Sequence, residues 1–165
     1  MVTGLVYDFS DDENGPYVYI LPNPVNERLT FPSTVDRCLQ LNSVSKEQWG
    51  HTTFAIENVA YQKALPQQLE TKGLDVLQIK PAQDKRSRLA LTSHMVQSGR
   101  VLFPRKGCEL LMSQLTHFGV EKHDDLADAF AYTILSVIDE PPAWCGIWWL
   151  HEDEWGELEW RGGTF

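Results

Sequence analysis

His123-Asp124-Asp125-Leu126-Ala127-Asp128-Ala129 places three carboxylates within five residues, at the start of an apolar run that extends to Ile138. On a helix, Asp125 and Asp128 are spaced i, i+3 and rise from one face. Leu126, Ala127, Ala129, Phe130, Ile134, Leu135, Val137 and Ile138 supply the buried side of the same helix. Asp is favoured at N-caps, and first-turn carboxylates are stabilised by the helix dipole. Capping accounts for one such acid and at a stretch for two, whereas three exceed the requirement. A capped helix start and an acidic site that invites a metal ion both stay open at this point.

Outward from this helix, the chain alternates strand and helix signals. Val2 to Phe9 and Tyr17 to Leu21 are β-branched and aromatic runs joined by Ser10-Asp11-Asp12-Glu13-Asn14-Gly15-Pro16, which predicts a hairpin. Phe31-Pro32-Ser33 opens a helix expected to reach about Leu41. Thr52 to Ile56 is a short buried strand ending at Glu57. Gln62 to Lys72 is helical in composition, with Pro66 near its first turn and Gly73 as C-cap, and a strand follows over Leu74 to Ile79. Lys85 to Ser98 is a helix, Arg100 to Phe103 a strand and Gly107 to Phe118 a helix. A hairpin followed by alternating helices and strands implies an α/β domain, a mixed sheet flanked by helices. Pro141-Pro142 ends the acidic helix and opens a tail holding five of the six tryptophans. The domain is therefore placed at 1–140 and the Trp-rich acidic tail at 141–165.

A chain of 165 residues is long enough to bury a core as one domain with an appendage. Cys38, Cys108 and Cys145 are far apart, without CxxC or Cys/His spacing, which fits a reducing cytoplasm rather than a disulfide framework. No apolar run approaches the ~18–20 residues of a membrane span, so no membrane partner is expected. The formal charge of −9 argues against a nucleic-acid partner until its distribution is considered. From Lys80 to Lys106 seven cations face the single acid Asp84, while from Asp139 onward seven acids face the single Arg161. The basic stretch is either a solvated helix surface or a backbone-holding surface for a polyanion.

Glu57 is the second acid of interest, because side chains at the carboxyl ends of strands in an open α/β sheet border the ligand crevice. Acids from a strand end and a helix, brought into one pocket, would bind Mg²⁺ or Mn²⁺ through hard oxygens. Two such ions about 3.5–4 Å apart can drive in-line cleavage of a phosphodiester. His51, His94, His117 and His151 have no metal-ligand spacing, and His123 is more simply a loop histidine. No GxSxG, HExxH, P-loop or dinucleotide fingerprint occurs.

Four segments in order, Phe54 to Leu65, Ile79 to Arg88, Gly99 to Pro104 and His123 to Ala129, resemble the C-terminal nuclease domain of phage large terminase subunits, over about residues 2 to 138. The resemblance implies a ribonuclease H-like fold and divalent-metal-dependent cutting of concatemeric double-stranded DNA during phage genome packaging, in the host cytoplasm. It implies that Glu57 is the family's second acid and Asp125 its helix-borne acid. Asp124 and Asp128 are then neighbours able to help bind two Mg²⁺ or Mn²⁺ ions. Lys80, Lys85, Arg86 and Arg88 fall in the basic segment expected to hold the DNA backbone.

The family's first catalytic aspartate lies on a central first strand preceding the one that matches Val2 to Phe9, and the sequence begins too late to include it. Asp8, with Asp11 and Asp12 beside it, is the candidate replacement. No Walker motif marks an ATPase part. Further partners implied are that ATPase part, the small terminase subunit or the portal. The alternative is a degenerate fragment that binds DNA or partners without cutting, and a third reading is a structural domain whose acids only cap a helix. The tail's tryptophans are either packed on the domain or serve as a docking peptide.

Overall fold

The computed structural model describes residues 1–7, 15–57, 64–80, 84–118, 124–139, 148–152 and 158–162. Strands β1 (Gly4–Tyr7) and β2 (Tyr17–Ile20) pair antiparallel, Gly4 opposite Ile20 and Tyr7 opposite Tyr17, as the two apolar runs predict. Residues 8–14, and with them Asp8, Asp11 and Asp12, lie outside the described residues.

Helix α1 (Phe31–Trp49) starts at Thr30, whose hydroxyl accepts from the Ser33 amide, and carries Pro32 in its first turn. It runs well past the expected end near Leu41. Beyond that point the apolar stripe gives way to Asn42, Ser43 and Ser45, which leaves periodicity nothing to detect. The helix stops at Gly50, whose amide donates to the Lys46 carbonyl from a φ of 86°.

Strand β3 (Thr53–Glu57) pairs parallel with β4 (Asp75–Ile79), and α2 (Ala64–Thr71) lies between them in sequence, as a parallel connection requires. Helix α3 (Lys85–Gln97) is capped by Asp84, whose carboxylate accepts from the amides of Arg86 and Ser87. Strand β5 (Val101–Leu102) joins β2 in parallel and leads to α4 (Glu109–Thr116) and α5 (Asp125–Asp139). In the tail, β6 (Trp148–Glu152) and β7 (Leu158–Gly162) form an antiparallel pair that the sequence reading did not anticipate.

The architecture is α/β. Among the described residues, five helices accompany a small mixed sheet in the order β1-β2-β5, the separate parallel pair β3-β4 and the tail hairpin. None of the described helices is long and apolar enough to cross a membrane.

Two apolar cores result. One gathers Val18 and Ile20 of β2, Met95 of α3, Leu111 of α4 and Leu126, Phe130, Ile134 and Val137 of α5. The other gathers Val35 and Cys38 of α1, Leu69 of α2 and Leu74, with Phe54, Ile56 and Val76 packed against them. Helix α5 belongs to the first core and also packs on β3 and β4, so it spans the seam between the two. Its close approach to β1 depends on Gly4. A Cβ there would stand 2.9 Å from Val18 Cγ1 and 3.3 Å from Thr133 Cγ2.

Candidate functional site

Alternation along β3 sends Phe54 and Ile56 into the second core and leaves Thr53, Ala55 and Glu57 on the opposite face. Glu57, half-buried at the end of the strand, accepts a 2.6 Å hydrogen bond on Oε1 from the Tyr132 hydroxyl of α5. Tyr132 is buried and follows Asp128 by four residues, one helical turn, so the two share a face. Facing them on α3 are Lys85 and Arg88, spaced i, i+3. The Arg88 guanidinium lies 4.8 Å from the centroid of the Tyr132 ring, and its Nη2 donates to Asp128 Oδ1 at 2.7 Å. Lys85 Nζ donates to Asp124 Oδ1 at 2.8 Å and stands 3.4 Å from Asp128 Oδ2. A continuous chain of contacts therefore runs from Glu57 through Tyr132 and Arg88 to Asp128, and on through Lys85 to Asp124.

The charges reinforce one another. The hydrogen bond to Asp124, with help from the Asp128 charge, raises the Lys85 ammonium above its usual range against some burial. Burial is the largest influence on Arg88 and works to lower it, but the bond to Asp128 together with the charges of Asp128, Tyr132 and Glu57 pushes the guanidinium up. Burial, followed by the bond to Glu57, raises the Tyr132 phenol, with Arg88 opposing, so Tyr132 remains a donor at neutral pH.

The start of α5 is held by a residue that sequence reasoning missed. Gln114 of α4, 3% exposed, accepts on Oε1 from the amides of Leu126 at 2.8 Å and Ala127 at 3.2 Å. These first-turn donors are thus satisfied without the carboxylates, and Asp124 and Asp128 turn to the cations of α3 instead. A buried glutamine in a short helix carries no sequence signal of this role. Tyr132 did carry one, since a hydroxyl-bearing ring one turn after an acid on an otherwise apolar stripe needs a polar partner.

The sequence-predicted residues are not all in one place. Glu57, Asp124 and Asp128 join the network. Asp125 is exposed at the first turn of α5, within electrostatic reach of the Met1 ammonium, which burial pushes down while Cys38 and Asp125 oppose. Lys80, Lys85 and Arg86 are exposed, whereas Arg88 is buried against Asp128 and Tyr132. His123 lies outside the described residues. Among the described residues, no three His, Cys, Asp or Glu side chains form a group that could hold a metal ion. Asp124 and Asp128 do converge on one cation, the Lys85 ammonium, and their hard oxygens are the donor type that Mg²⁺ and Mn²⁺ take. No family model, curated protein or solved structure matches this chain.

Proposed function

We propose that this chain is a terminase-type nuclease domain of ribonuclease H-like fold that cleaves concatemeric double-stranded DNA in the host cytoplasm with Mg²⁺ or Mn²⁺. The observation that carries the proposal is the Glu57–Tyr132 hydrogen bond, which ties together residues 75 apart in sequence and brings a strand-end acid to the acidic face of α5. The order of elements, a hairpin and then a parallel pair followed by an acidic helix, supports the same reading.

Glu57, Asp124 and Asp128, which share the network, would be the oxygen donors for the metal, with Asp125 beside them in the first turn of α5 and Asp8 the candidate for the family's remaining acid. When bound, paired divalent ions supply an activated water and stabilise the leaving oxygen. Tyr132 and Arg88 hold the carboxylates of Glu57 and Asp128, exposed Lys80 and Arg86 offer positive charge to the phosphates, and Lys85 would join them once a metal ion takes its place between Asp124 and Asp128. The ATPase part of the packaging motor, the small terminase subunit or the portal are the partners that such a domain would meet.

The second reading, a non-cleaving module that binds DNA or a packaging partner, is favoured by one observation. Asp124 and Asp128 are already neutralised by Lys85 and Arg88. Nicking of supercoiled plasmid by the purified chain in Mn²⁺, in Mg²⁺ and in EDTA, beside Glu57→Gln and Asp125→Asn, separates the two. Metal-dependent nicking lost in both variants is the expected result. Folded protein that retains DNA but never nicks it would favour the binding module.

A further inference from the structure

We propose that Tyr132 is a positioning residue for the acidic site, and that Arg88 acts with it as an internal strut rather than as a surface contact for DNA. This rests on the metal-dependent reading above. Glu57 ends a strand belonging to one core and Asp128 lies on the helix that spans to the other, so no single element fixes their relative placement. The Tyr132 hydroxyl takes Oε1 of Glu57 at 2.6 Å, which restrains rotation of that carboxylate. The Arg88 guanidinium carbon lies over the Tyr132 ring, 4.8 Å from its centroid, while the same guanidinium holds Asp128 Oδ1 at 2.7 Å. Tyr132 and Arg88 are 8% and 6% exposed, too buried to serve a large polyanion directly and well suited to locking geometry. The arrangement resembles the outer-shell partners that orient metal ligands, whose removal costs about 10–100-fold in metal affinity.

The test is Mn²⁺ titration of the full chain, wild type and Tyr132→Phe, each with and without Glu57→Gln, with thermal midpoints recorded in parallel. Positioning through Glu57 predicts that Tyr132→Phe weakens Mn²⁺ binding about tenfold. It also predicts little change in the metal-free midpoint and no further loss from Tyr132→Phe once Glu57 is Gln. Unchanged affinity in Tyr132→Phe, or the same loss with and without the Glu57 carboxylate, overturns the positioning role while leaving the metal site intact. Wild-type chain that binds no Mn²⁺, or binds it equally after Glu57→Gln, overturns the metal reading and the positioning role together. Arg88→Lys keeps a charge beside Asp128 but loses the plane over Tyr132, and is judged by the same criteria should Tyr132→Phe fail to fold.

Discussion

Arg86 and Arg88 illustrate how two residues of one basic segment acquire different duties. They lie two apart on α3 and therefore point in different directions. Arg86 is exposed, whereas Arg88 is buried with its charge spent on Asp128 and its plane on Tyr132. Removing one member of a largely buried pair leaves the other charge uncompensated. Arg88→Ala is therefore expected to destabilise the fold by about 3 kcal/mol, while Arg86→Ala changes stability by no more than about 0.5 kcal/mol. Urea unfolding of both variants checks this, and equal midpoints would deny the internal role of Arg88. Composition groups these two arginines as one basic patch, and only the packing of α3 on α5 tells them apart.

At the scale of elements, the start of α5 is secured from outside the helix. Gln114→Ala would leave the buried amides of Leu126 and Ala127 without their acceptor, at an expected cost of about 1–3 kcal/mol. Gln114→Glu, which keeps acceptor oxygens near a helix N-terminus, should recover most of it. Thermal unfolding of the two variants side by side measures the difference, and equal losses would contradict the acceptor role of the Gln114 side-chain oxygen.

The hairpin, the parallel strands and the helices were legible in sequence because each carries its own period or punctuation. Gly73, at φ 80°, turns the chain into β4 as its position predicts. The second half of α1 was not legible, since Ser43 to Gln48 has helical geometry without an apolar stripe. Nor was the tail hairpin, in which Trp148 pairs with Gly162 amid acids and tryptophans that follow no strand alternation.

Across the whole molecule, two cores meet along α5, and the acidic network lies where they meet. Sequence pattern identifies Glu57 and the Asp cluster as separate acids, one at a strand end and three at a helix start. Their union depends on contacts between segments about 75 residues apart, which local periodicity does not encode. The same limit applies to the sheets, because nothing local dictates that β5 joins β2 while β3 and β4 pair by themselves.

A site assembled across such a seam should fail as a unit when either side is removed. The rate of Mn²⁺-dependent plasmid nicking by wild type, Glu57→Gln, Asp128→Asn and the double variant tests this. One shared metal site predicts that each single substitution abolishes nicking and that the double is no worse than either. Nicking that persists in Glu57→Gln, or losses that simply multiply in the double variant, would contradict a single site spanning the seam.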